Sequence, residues 1–262
     1  MIFYLSGTEN SQHVASELSK RTGENLTAIY DIWNGETFHY ELTDDEVVGF
    51  VFPIYSWGPP SPILQFIRDL TLNHPNPYIF VTCTCGDDIG RTSDILHATF
   101  KKKRWEAACI YSVIMPENYV CLPGFDVDTP QNEQKKLQAL PTQLEKIAQT
   151  IHERKRGIEH VIPGKFPFLK SYIIRPLFNK FLVTDRFFHT TPSCNGCSKC
   201  SRECPTKNIE IKDKRPVWKG KCIGCLRCYH TCPMHSIHFG KMTEKKGQYL
   251  FQPIKKQNKF AT

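Results

Sequence analysis

Eight cysteines stand in two matching runs. Cys194, Cys197, Cys200 and Cys204 are followed by Pro205, and Cys222, Cys225, Cys228 and Cys232 are followed by Pro233. Within each run the gaps are two, two and three residues, and the second run lies 28 residues after the first. Gly196 matches Gly224 and Ile209 matches Ile237, so a small structural unit is repeated along with its thiols. Thiolates at this spacing suit a cuboidal 4Fe–4S cluster. A loop with two-residue gaps wraps one compact core and supplies three ligands. The fourth cysteine, just before proline, lies too far along the chain to close the same cube and reaches the neighbouring one. One cluster is therefore assigned to Cys194, Cys197, Cys200 and Cys232, the other to Cys222, Cys225, Cys228 and Cys204.

Two other uses of these thiols fit less well. Structural zinc usually shows paired Cys-x-x-Cys without a third cysteine and a Cys-Pro. Disulfides need an oxidising compartment, and the opening residues MIFYLSGT have neither the basic start nor the small-residue cleavage site of a secretory signal. Of the remaining cysteines, Cys83 and Cys85 read as buried strand ends, with redox-active thiols as the alternative, Cys109 as core and Cys121 as a loop residue. His230 and His235 flank Cys232, but the ligand count is complete without them.

A second constellation lies in the first half. Ser6-Gly7-Thr8-Glu9-Asn10-Ser11 joins a predicted strand to a predicted helix. Hydroxyls and free N–H groups at a helix N-terminus can cradle a phosphate, although an ordinary N-cap has the same composition. Residues 53–60 place Tyr55 and Trp57 beside Gly58 and could cover a flat ring. Residues 82–90 contribute Thr84, Cys85, Gly86 and Asp87.

The elements that must position these loops are legible from periodicity. Residues 2–5, 26–30, 47–52, 78–84 and 107–115 read as strands. Residues 10–21, 61–72, 92–104 and 129–156 read as helices, with Pro62 allowed in a first turn and Pro141 expected to bend or break the last. The alternation predicts an α/β fold with a five-stranded parallel sheet, whose ligands sit at the carboxyl ends of the strands. In the second half, 209–211 and 216–218 predict a hairpin between the cysteine runs.

Charge divides the chain similarly. Residues 1–150 hold 19 acidic and 11 basic residues, a net of −8, whereas residues 151–262 hold 23 basic and 7 acidic, a net of +16. A basic half can attract nucleic acid or acidic lipid, or dock against the acidic half. The expected organisation is an α/β domain over 1–157, a connector over 158–190 and a cluster domain over 191–262 with a basic tail at Lys255, Lys256 and Lys259. The connector is Phe-rich and basic. It reads as packing between the two halves, with a membrane-surface or partner-binding role as the alternative; Pro163, Pro167 and Pro176 are expected to interrupt any long helix. No apolar run is long enough to span a bilayer. The absence of Gly-x-Gly-x-x-Gly gives no sign of a dedicated dinucleotide site.

Residues 190–240 resemble bacterial two-cluster ferredoxins, which implies a small pseudo-twofold fold and one-electron transfer. Residues 1–155 resemble flavodoxins: Thr8-Glu9-Asn10-Ser11 lies on their Thr-Gly-Asn-Thr phosphate loop, with Glu9 in the place of glycine. That resemblance implies FMN, with Ser6, Thr8, Asn10 and Ser11 at its phosphate and Pro53, Tyr55, Trp57, Gly58, Thr84, Cys85, Gly86 and Asp87 around its ring. The order of the two parts, with Met115-Pro116-Glu117-Asn118-Tyr119, resembles the fused flavodoxin–ferredoxin proteins called ferrodoxins. The implied function is cytoplasmic electron transfer between FMN, two 4Fe–4S clusters and a redox partner protein, with no nucleic acid. An FMN-dependent reductase of a small molecule and a cluster-based sensor are the alternatives.

Overall fold

The computed structural model describes residues 1–252; the basic tail at 255–259 lies outside them. The chain opens with β1 (Ile2–Tyr4), α1 (Asn10–Thr22), β2 (Leu26–Ala28), α2 (Ile29–Ile32), β3 (Phe38–Tyr40) and β4 (Val48–Pro53). It continues with α3 (Ser61–Asp69), β5 (Leu70–Leu72), β6 (Ile79–Cys85), α4 (Thr92–Lys102), β7 (Ala107–Ile114), α5 (Pro130–His152) and β8 (Ile158–His160). The central sheet has the order β2-β1-β4-β6-β7-β8, and every pairing in it is parallel. Its first five strands are thus in the doubly wound 2-1-3-4-5 order, with the switch point between β1 and β4.

The strands run through a two-faced core, as their near-continuous apolar sequences require. Alternate residues enter opposite layers. Ile2 and Val51 pack with Val14 and Leu18 of α1 and Leu140, Leu144 and Ile147 of α5. Phe3, Phe50 and Phe52 pack with Ile63 and Phe66 of α3 and Leu96 and Phe100 of α4.

Four local details differ from the sequence reading. The second strand stops at Ala28 and turns into α2. The third helix ends at Asp69, and Leu70–Leu72 pairs in parallel with Phe38–Tyr40. The sheet gains a sixth strand, β8, from residues assigned to the connector. Finally, α5 runs unbroken through Pro141. That proline lies on the solvent face, while Leu137, Leu140 and Leu144 hold the helix to the sheet and offset the one missing backbone bond.

Beyond β8 the connector forms a π-helix over Leu169–Ile174 that passes into α6 (Arg175–Phe181). Pro163 and Pro167 precede it, and Pro176 falls in the first turn of α6, where a missing N–H is tolerated. The last part contains β9 (Phe188–Thr190), α7 (Lys199–Arg202), β10 (Ile209–Lys212), β11 (Arg215–Trp218), α8 (Arg227–His230) and β12 (Ile237–Phe239). β10 and β11 form the expected hairpin, closed by Asp213 and Lys214, both with positive φ, the conformation of a tight twisted turn. β9 and β12 pair antiparallel.

The chain then returns to the first domain. Tyr249 and Phe251 join the α1–α5 core layer. The Tyr249 hydroxyl donates to Asn10 Oδ1 at 2.7 Å, the Phe251 N–H donates to Thr8 O at 3.0 Å, and the Phe251 ring stacks on His13.

Candidate functional site

The 28-residue repeat is carried into backbone conformation. Gly196 and Gly224 have φ of 73° and 72°, Ser198 and Leu226 have 62° and 57°, and Lys207 and His235 have 49° and 45°. Each left-handed pair turns the chain back so that successive cysteines face inward before a single helical turn, α7 or α8. The matching hydrogen bonds recur: Asn208 N–H donates to Cys204 Sγ at 3.3 Å, and Ser236 N–H donates to Cys232 Sγ at 3.4 Å. Donors to sulfur stabilise thiolate charge and raise a cluster's potential.

Cys194, Cys197, Cys200 and Cys232 border one small cavity together with Pro233 and Ser236. Cys200 feels the fields of Cys232, Cys194 and Cys197. Cys204 lies apart from that group and acts on Cys222, Cys225 and Cys228. Burial pushes Cys200 and Cys222 up to about 11 and Cys225 up to about 12, and Cys228 is raised well above its usual value by burial. Burial acts on Cys232 too, but hydrogen bonds from the Ser236 hydroxyl and from the backbone N–H groups of Met234, Ser236 and Ile237 outweigh it and lower its pKa. Buried thiols of this kind become thiolates when a cation compensates them, and iron does so. Among the described residues no three His, Cys, Asp or Glu side chains converge on a single ion position. A four-iron cluster is a larger body than a single ion, with thiolates at its corners.

The second constellation encloses a cavity of about 320 Å³ at the carboxyl ends of β1, β4 and β6. Ser6, Thr8, Asn10, Ser11, Pro53, Tyr55, Trp57, Thr84, Cys85, Gly86 and Asp87 all line it. Gly58 does not. A Cβ there would stand 2.1 Å from Arg175 Nε, so the space at Gly58 belongs to the connector.

Within the cavity wall, Asn10 bridges Pro116 O and the Tyr249 hydroxyl, Ser11 pairs with Thr84, and Thr8 accepts from Asn118. These side chains are committed to the protein. Among the described residues the buried oxygens of Ser6, Tyr55 and Ser56 have no partner, which is the condition of groups awaiting a polar ligand. Among the described residues Lys170 is the only lysine or arginine that lines the cavity. Its Nζ pairs with Asp88 and lies 5.1 Å from the centre of the Trp57 ring.

Glu9 does not line the cavity. At φ 70° it occupies the left-handed conformation that glycine takes more easily. Its carboxylate turns toward Arg227 at 3.2 Å. Arg227 also pairs with Glu203 and donates to Gly7 O at 3.0 Å. One guanidinium thus joins the phosphate-type loop to α8. Arg227→Ala is expected to destabilise the chain by about 2 kcal/mol, the scale of hydrogen bonds to charged groups. The midpoint of a denaturant titration reads this directly, and an unchanged midpoint would show that the bridge contributes nothing.

The cavity has two walls that the motifs did not reveal. One is the second cysteine loop, where Ile223, Gly224, Cys225 and Leu226 line it. Gly7 lies so close that a Cβ on it would stand 2.5 Å from Cys225 O. The other wall is the connector, with Lys170, Ile174, Phe178 and Leu182 inward at four-residue spacing. Ser171 Oγ donates to Trp57 O at 2.7 Å and Arg175 to Pro59 O at 2.7 Å, so the connector covers the Trp57 loop. The four-residue spacing was visible in the sequence and is the signal that could have placed this wall.

Residues 193–237 match the family model described as a 4Fe–4S dicluster domain. No curated protein matches the chain. The C-terminal part is therefore a ferredoxin-type iron–sulfur domain, and electron transfer is its chemistry at that level. No helix among the described residues is long and apolar enough to cross a membrane.

Proposed function

We propose that this protein relays electrons between FMN in the β1–β4–β6 cavity, two 4Fe–4S clusters and a redox partner protein. One cluster is held by Cys222, Cys225, Cys228 and Cys204, the other by Cys194, Cys197, Cys200 and Cys232. The three parts of the chain are a flavin domain over 1–157 that also takes in β8 at 158–160, a covering connector over the rest of 158–190 and a cluster domain over 191–262, with 248–251 returning to the first. The observation that carries this reading is the contact of Gly7 with Cys225, which sets the second cysteine loop in the cavity wall. Bound flavin supplies both one- and two-electron exchange. The chain's own residues bind and orient it: Ser6, Ser56 and Tyr55 offer unpaired hydroxyls, and Tyr55 and Trp57 offer aromatic faces. The N–H groups at the start of α1, a helix of 13 residues, meet the phosphate, and Glu9 is held away from it by Arg227.

A reductase acting on a small molecule needs open space over the Trp57 loop. The connector occupies that space through Ser171 and Arg175, which supports the relay. The proposed setting is the cytoplasm, where thiols remain reduced.

Protein purified without oxygen should contain about eight iron, eight acid-labile sulfide and one FMN per chain. Eight iron without flavin, even after FMN is added, would remove the flavin half of the reading and leave a two-cluster carrier.

A further inference from the structure

The connector helix has a second face. Phe166, in the turn before it, and Leu169, Ile173, Leu177 and Phe181 along it recur every three or four residues and form one outward stripe. They are 73%, 47%, 50%, 54% and 59% exposed. The opposite side is already used: Ser171 is buried and Phe178 lines the cavity, with Ile174 at the edge, lining the cavity while still 37% exposed. A stripe with this many consecutive exposed apolar side chains is more than scattered surface hydrophobics, and it marks an interaction site.

Charge identifies the occupant. No Asp or Glu occurs between residues 160 and 184, while Lys165, Lys170, Arg175 and Lys180 do. Lys170 and Arg175 turn inward to Asp88 and Pro59. Lys165 and Lys180 are exposed, one near each end of the stripe. Apolar side chains flanked by exposed ammonium groups, on a helix lying flat along the surface, match an anionic bilayer interface. The stripe enters the acyl boundary and the lysines reach back to headgroups. A second copy of the same basic face would bring like charges together.

We infer that the outward face of residues 166–181 docks this protein peripherally on anionic lipid. The face is separate from the cysteine runs and independent of whether flavin fills the cavity.

The test is sedimentation of the full chain, with clusters intact, on two kinds of vesicle. One is phosphatidylcholine alone; the other is equal parts phosphatidylcholine and phosphatidylglycerol. The wild-type chain should bind the anionic vesicles and be released by salt. The double change Lys165→Gln and Lys180→Gln should weaken that binding about 25-fold, each lysine at an anionic surface contributing about fivefold. Leu177→Glu with Phe181→Glu should abolish it while iron content stays at the wild-type value, since neither side chain supports the core. Absence of wild-type binding, or binding that survives Leu177→Glu with Phe181→Glu, overturns the inference. A wild-type dimer that fails to bind vesicles and becomes monomeric in that variant would assign the stripe to a second copy instead.

Discussion

Serine at Cys204 should halve the iron of the protein, leaving about four atoms where two four-iron clusters hold about eight. Cys204 belongs by sequence to the first run but lies with the thiols of the second, where it acts on Cys222, Cys225 and Cys228. The cluster lost should therefore be the one beside the cavity. Combining Cys204→Ser with Cys225→Ser distinguishes crossed from sequential ligation. If both cysteines serve one cluster, the double variant still holds about four iron and keeps one cluster signal on reduction. If they serve different clusters, iron falls toward zero and the crossed arrangement is wrong. Iron and sulfide assays on protein purified without oxygen read the difference.

Valine at Gly7 should be nearly as damaging, by a different route. The atom that a Cβ would strike is the Cys225 carbonyl oxygen, 2.5 Å away, with Cys225 Cβ at 3.3 Å. A backbone oxygen cannot rotate aside as a side chain can, so the cysteine loop must move off the cavity wall. Overpacking of this kind costs about 1–3 kcal/mol. The loop displacement should also slow electron exchange between the cavity and the second cluster, read as the rate of cluster reduction after photoreduction of bound flavin. A variant with unchanged denaturant midpoint and unchanged rate would show that the two loops are not in functional contact.

The parts of this molecule that were legible in the sequence are those fixed by local chemistry. Cysteine spacing specifies the cluster loops because a cube imposes its dimensions on the chain. The buried runs at 47–52 and 78–84 announce strands because both of their faces must be apolar. Helix boundaries at Asp69 and Ala28 were not legible, since the residues beyond them adopt extended or helical structure according to partners far along the chain. The loops at Ser6, Tyr55 and Cys85 were found together because a parallel sheet gathers its carboxyl ends. Gly58 fails for the complementary reason: what fills the space beside it is Arg175, whose arrival depends on the connector's path. Glu9 puts a carboxylate on the phosphate-type loop, and nothing local predicted that Arg227, 218 residues away, draws it aside.

Tyr249 and Phe251 give the protein an order of manufacture. They hold Asn10 and Thr8, which are among the first residues synthesised, through contacts that span about nine-tenths of the chain. The ribosome must deliver residue 251 before the loop after β1 acquires these supports. Both cysteine runs emerge earlier, at 194–232. The segment that clamps this loop is therefore made only after every cluster cysteine. A released chain ending between residues 237 and 249 would keep every cluster cysteine while its cavity loop lacked both clamps, a form in which metal loading and retention of the proposed flavin should come apart.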